Sequence, residues 1–148
     1  MLIGSFAHTF DAKSRVFIPA KWRESLGDAV VLTPGLLNTK DNRCLFGMSL
    51  VEWDAFSSKL SNLPITDLSG QAVRRSLYSS AASCEVDKQG RILIPTQLRE
   101  LAGLNKDVTL IGVGDRIEIW DPEALKRYNE MMDAGYESSI AHLAQMGI

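Results

Sequence analysis

The stretch Phe10-Asp-Ala-Lys-Ser-Arg-Val-Phe-Ile-Pro-Ala-Lys-Trp-Arg-Glu24 returns as Val86-Asp-Lys-Gln-Gly-Arg-Ile-Leu-Ile-Pro-Thr-Gln-Leu-Arg-Glu100, at a constant offset of 76. Six of the fifteen positions are identical, and most of the others exchange apolar for apolar or polar for polar. One supersecondary unit is therefore written twice in the chain. Each copy is too short to bury a core alone, so the two must close on each other, and an approximate internal twofold axis is expected. A molecule of that symmetry suits a symmetric or repeated partner.

Within each copy, Asp-x-x-Ser/Gly-Arg reads as a tight turn. The carboxylate can accept backbone N–H bonds, and Gly90 can take a positive φ that Ser14 takes less easily. Arg15-Val-Phe-Ile18 and Arg91-Ile-Leu-Ile94 are β-prone runs stopped by Pro19 and Pro95. Helices are predicted from about Pro19 to Leu26 and from about Pro95 to Ala102, with Gly27 and Gly103 as stops. Further strands follow at Ala29–Thr33 and Cys44–Phe46, then at Asp107–Gly112 and Arg116–Trp120. The last of these alternates at period two, as a half-buried strand does. Helices should begin near Ser49, with Trp53, Phe56, Leu60 and Leu63 on one face, at Thr66 or Asp67, and near Pro122. Beyond Tyr136, Ile140, Leu143 and Ala144 form a short apolar stripe able to dock on the body or on another subunit.

At 148 residues, 45% hydrophobic and 23% charged, the composition is that of a globular protein with a core of its own. Cys44 and Cys84 are isolated, which predicts free thiols in a reducing cytosol. No apolar run approaches membrane-spanning length, and no export signal is expected. The net charge of −2 argues against a uniformly basic nucleic-acid binder, but it is unevenly spread: residues 121–148 carry −3 and residues 1–120 carry +1. His8, His142 and two distant cysteines lack metal-ligand spacing, so neither a metal nor a cofactor is expected. Nucleophile elbows, phosphate-cradling glycine loops and catalytic His–carboxylate sets are missing from the sequence, and Gly112-Val-Gly114 reads as a hairpin turn. The chain is not read as an enzyme, and no small-molecule substrate is expected.

Arg15 and Arg91, each just after a turn, can reach a duplex and bond bidentately to guanine O6 and N7. Equally, they can pair with Asp11 and Asp87 on a solvated hairpin. The two aspartates suit turn capping or arginine orientation better than contact with phosphate. Lys13, Lys88, Lys21, Arg23 and Arg99 are candidates for phosphate contacts, and Arg74 and Arg75 add a basic step that can also serve helix-face ion pairs. Trp22, Trp53 and Trp120 have the spacing of packing residues rather than base-stacking ones.

His8-Thr-Phe-Asp-Ala-Lys-Ser-Arg, Asp87-Lys-Gln-Gly-Arg-Ile-Leu-Ile-Pro and Ile117-Glu-Ile-Trp, with Glu52-Trp53 and Arg74-Arg75 between them, resemble the MraZ family of bacterial transcriptional regulators. The resemblance covers nearly the whole chain and is weakest after about residue 130. It implies an α+β, mainly β fold: two swapped-hairpin halves of the AbrB and SpoVT type forming a pseudo-twofold β-barrel with flanking helices. Repeat 1 would span residues 5–51, a helical connector 52–80, repeat 2 residues 81–124, and a helical tail 125–148. It further implies a cytoplasmic, nucleoid-associated ring oligomer on double-stranded DNA. That ring would bind promoters with tandem TGGG-type boxes upstream of the division and cell-wall gene cluster, with the DNA-binding motif falling on Asp11 and Arg15 and on Asp87 and Arg91; Lys13 and Lys88 beside them complete the expected DNA-binding set. Ser14 departs from the glycine usual in this motif. The competing reading is an oligomeric scaffold or protein-partner module without sequence-specific DNA binding.

Overall fold

The computed structural model describes residues 1–36 and 43–148. The elements run β1 (Leu2–Thr9), β2 (Arg15–Phe17), α1 (Ala20–Leu26), β3 (Ala29–Pro34), β4 (Leu45–Met48), α2 (Leu50–Ser61) and α3 (Leu68–Ser80). There follow β5 (Ala82–Glu85), β6 (Arg91–Leu93), α4 (Thr96–Leu101), β7 (Asp107–Gly114), β8 (Ile117–Trp120), α5 (Pro122–Asp133) and α6 (Tyr136–Gln145). The fold is mixed α and β with antiparallel sheets.

Six strands form one antiparallel sheet in the order β1-β7-β8-β4-β3-β5, and β2 and β6 form a separate two-stranded ribbon. The pairing is exchanged between the repeats. β1 of the first runs beside β7 of the second from Leu2↔Gly114 to Thr9↔Asp107, while β5 of the second runs beside β3 of the first from Ala29↔Glu85 to Leu32↔Ala82. Replacing each strand by its counterpart in the other repeat reproduces the same order read backwards.

The expected closed barrel is not found among the described residues: β1 and β5 are the two outer strands and do not pair with each other. The ribbon strands that would close it are three residues long. A turn precedes each, and a proline that cannot donate a ladder bond follows within two residues, so they pair with each other and with no other strand.

The ribbon lies over one face of the sheet. Val16, Ile18, Ile92 and Ile94 meet Trp22 and Leu26 of α1, Leu98 of α4, and Val30, Leu32, Leu45, Val108, Leu110, Ile117 and Ile119 in one buried cluster. A second cluster of Phe46, Met48, Trp120 and Ala124, with Trp53, Phe56 and Tyr128 against it, packs α2 and α5 on the opposite face. Burying a large apolar side chain contributes about 1.5–3 kcal/mol, so these clusters, not the short helices, hold the fold. Trp22 and Trp120 are core residues, as their spacing suggested, and the Trp22 indole N–H donates to the Ile3 carbonyl at 2.8 Å.

Side-chain caps start the later helices where the sequence placed them: Ser49 accepts from the Glu52 N–H, Asp67 from Gly70, and Asp121 from Ala124 with Pro122 behind it. α2 stops at Ser61, so Leu63 lies past its end. Gly112 and Val113 belong to β7 instead of a turn, because β1 zips β7 out to Gly114. In α6, Ile140 and Leu143 stay exposed.

Candidate nucleic-acid interface

Both Asp-x-x-x-Arg segments fold into the same turn. The Asp11 carbonyl accepts from the Ser14 N–H at 3.1 Å, and its N–H donates to the Arg15 carbonyl at 2.9 Å. In the second copy the Asp87 carbonyl accepts from Gly90 at 2.9 Å, and its N–H donates to Arg91 at 2.8 Å. This is a three-residue hairpin loop whose last residue must adopt a positive φ: Ser14 sits at 64° and Gly90 at 82°.

The aspartate side chains complete each loop. Asp11 Oδ1 accepts from the Lys13 and Arg15 N–H groups, both at 2.9 Å, and Oδ2 accepts from Arg15 Nε at 2.8 Å. Asp87 repeats this with Gln89 and Arg91 at 2.9 Å and Arg91 Nε at 3.0 Å. Three donors on each carboxylate, foremost the backbone N–H of the arginine, hold Asp11 and Asp87 below the ordinary carboxylate range. The sequence left turn capping and arginine orientation open as alternatives; one carboxylate does both. With Nε engaged, the Arg15 guanidinium keeps its outer edge of terminal N–H groups for another acceptor, whereas Arg91 Nη2 donates to Gln89 Oε1.

The two loops meet on the ribbon. β2 and β6 pair Arg15↔Leu93, Val16↔Ile92 and Phe17↔Arg91, and Arg91 Nη1 lies 3.6 Å from Asp11 Oδ2, linking one loop to the other. Val16 and Ile92 point into the core, so Arg15, Phe17, Arg91 and Leu93 share the outward face. Phe17 and Leu93 are exposed there, with the Arg91 guanidinium 5.8 Å from the Phe17 ring centroid. The sequence signal for this exposure is their period-two register with the arginines, which strands of three residues are too short to display.

Lys13, Lys88 and Lys21 are exposed. Arg23 and Arg99 are half-buried and cross between repeats. Arg23 donates to the Ile18 carbonyl at 3.1 Å, the Ile18 N–H donates to Gly90, and the guanidinium lies directly against the Gly90 Cα. Arg99 donates to Ser14 Oγ and to the Asn105 carbonyl at 2.8 Å, and stacks 4.2 Å from the Phe10 ring. Arg74 and Arg75 belong to α3, outside both loops, and Arg74 lies 5.7 Å from the Tyr78 ring.

Among the described residues, no three His, Cys, Asp or Glu side chains gather where they could hold a metal. None of the described helices is long and apolar enough to cross a membrane. Cys44 and Cys84 are free and buried, with burial pushing their thiols up to about 12 and about 11.

The profile of a family described as "MraZ protein, putative antitoxin-like" matches the chain twice, over residues 1–76 and 77–146. A "Transcriptional regulator MraZ" from Thermoanaerobacter sp. (strain X514) is 48% identical over 148 residues, covering 100% of both chains. One from Acetivibrio thermocellus is 47% identical over 148 residues, again covering 100% of both. Another, from Caldicellulosiruptor saccharolyticus, is 49% identical over 145 residues, covering 98% of this chain and 95% of the relative.

Proposed function

The chain belongs to the MraZ family, and from that premise we propose that it is a sequence-specific DNA-binding transcriptional regulator, a repressor that reads G-rich boxes with the β2–β6 ribbon. One observation carries the reading: two turns, 76 residues apart in sequence, put Arg15 and Arg91 on the same solvent-facing side of one two-stranded ribbon. B-DNA's major groove admits such a ribbon, and arginine on guanine O6 and N7 is the commonest specific base contact. Asp11 and Asp87 restrict the guanidinium rotamers before binding, which lowers the ordering cost. Lys13 and Lys88 flank the face for phosphates, and Lys21, Arg23, Arg74, Arg75 and Arg99 complete the candidate basic set.

A single ribbon on a chain of net charge −2 would bind weakly. We therefore infer a ring of copies whose ribbons engage tandem TGGG-type boxes together, since linked contacts multiply affinity once their spacing fits. The exposed Met131, Met132, Ile140 and Leu143 of the C-terminal helices support contact between copies. The target would be the promoter of the division and cell-wall gene cluster, in the cytoplasm at the nucleoid. Each half is read as AbrB-like, with the two related by an approximate twofold axis.

Fluorescence anisotropy tests this with a duplex of three tandem TGGG boxes, a single-box duplex and a base-scrambled duplex at two salt concentrations. Wild type should prefer the tandem boxes over both others. Arg15→Ala with Arg91→Ala should abolish the preference while leaving the protein folded and its oligomeric state unchanged. No preference for boxes in the wild type would hand the chain to the scaffold reading, and equal affinity for one box and three would remove the ring.

A further inference from the structure

The outward face of the ribbon is not uniformly basic. It is a quartet in which each strand contributes one arginine and one exposed apolar residue, Arg15 and Phe17 on β2, Arg91 and Leu93 on β6. Phe17 is 44% and Leu93 54% exposed, while their neighbours Val16 and Ile92 are fully buried. Each apolar side chain stands across from the other strand's arginine, so the pattern occurs twice, once per repeat.

Two features limit what can cover this patch. Exposed Lys13 and Lys88 together with Arg15 and Arg91 outnumber Asp11 and Asp87 around it, so a polyanion fits and a second copy of the same ribbon would set arginine against arginine. The partner must also offer apolar groups inside an anionic groove. In the major groove of B-DNA that group is the thymine C5-methyl. Residues i and i+2 on a strand are about 6.6 Å apart, close to two base-pair rises of about 3.4 Å each, so an arginine and the apolar residue beside it match bases two steps apart.

Resting on the DNA-binding reading above, we propose that Phe17 and Leu93 read thymine: they pack on its C5-methyl while Arg15 and Arg91 bond to guanine, so the ribbon discriminates mixed T and G boxes from G runs alone. The test replaces every box thymine in the three-box duplex with deoxyuridine, which deletes the methyl and leaves all pairing and hydrogen-bonding groups. Wild type should bind the deoxyuridine duplex about 4-fold more weakly per engaged box, the transfer worth of one buried methyl. Phe17→Ala with Leu93→Ala should bind the two duplexes equally, with an unchanged melting temperature because both side chains are exposed.

Wild type that prefers boxes over scramble yet ignores the methyl overturns the inference and leaves the function standing, a result that needs no variant. A double variant that keeps the thymine preference also overturns it. So does a double variant that changes oligomeric state with the thymine preference intact, which would make this face a contact between copies. Wild type without box preference removes the functional reading and this inference together.

Discussion

The loop at Asp11–Arg15 and the loop at Asp87–Arg91 have the same backbone hydrogen bonds and are supported differently. The first places a serine at positive φ, and Arg99 from the other repeat bonds to its hydroxyl. The second places a buried glycine there, and Arg23 from the other repeat occupies the space a side chain would take: a Cβ on Gly90 would run into the Arg23 guanidinium. The arginines differ too. Arg91 donates to Gln89 as well as Asp87 and reaches Asp11, whereas among the described residues the Arg15 side chain bonds to Asp11 alone. The turn is common to both copies, and each is braced by an arginine from the other repeat.

Copying the first loop into the second should break that balance most severely. Gly90→Ser adds positive-φ strain and makes the flexible Arg23 guanidinium swing aside, and is expected to lower stability by about 1–2 kcal/mol in denaturant unfolding. An unchanged midpoint would mean that this loop takes a serine at positive φ without strain. The crossing itself comes next. Arg99→Ala should speed amide exchange at Lys13, Ser14 and Arg15 on the order of tenfold, and Arg23→Ala should do so at Gln89, Gly90 and Arg91. Exchange that quickens in the substituted residue's own repeat would reverse the assignment.

The converse swap should be nearly silent. Ser14→Gly relieves positive-φ strain but loses the hydroxyl and restores chain entropy, and the expected stability change is under about 1 kcal/mol. A large change in either direction would show that the two loops differ by more than one residue. Acidity should act on both loops alike. Asp11 and Asp87 have lowered folded pKa values, so their contribution is complete above the unfolded value and is lost as pH falls through the lowered one. Between pH 8 and pH 5 the loop amides should keep their protection, then lose it below about pH 4. Loosening at pH 6 would contradict the carboxylate clamps.

Much of this was legible locally. The turn at Asp11 and Asp87, the stops after Ile18 and Ile94, and the caps at Ser49, Asp67 and Asp121 follow from chemistry within a few residues of each site. What sequence could not supply is non-local. β1 carries no strong period-two pattern and exists because β7 lies beside it. The inward turn of Arg23 and Arg99 depends on a loop contributed by the other repeat, and the exposure of Phe17 and Leu93 depends on which face of the ribbon the sheet covers. The open sheet likewise follows from ribbon strands too short to bridge its outer strands.

The exchange of first strands sets an order of events during synthesis. Leu2–Thr9 is made before the other strands, yet its partner Asp107–Gly114 follows about a hundred residues later. At roughly 5–20 residues per second, the N-terminal strand waits about 5–20 s with its backbone donors and acceptors unpaired. β5, by contrast, finds β3 already made as soon as it emerges. The nascent chain can therefore pair its second outer strand before its first.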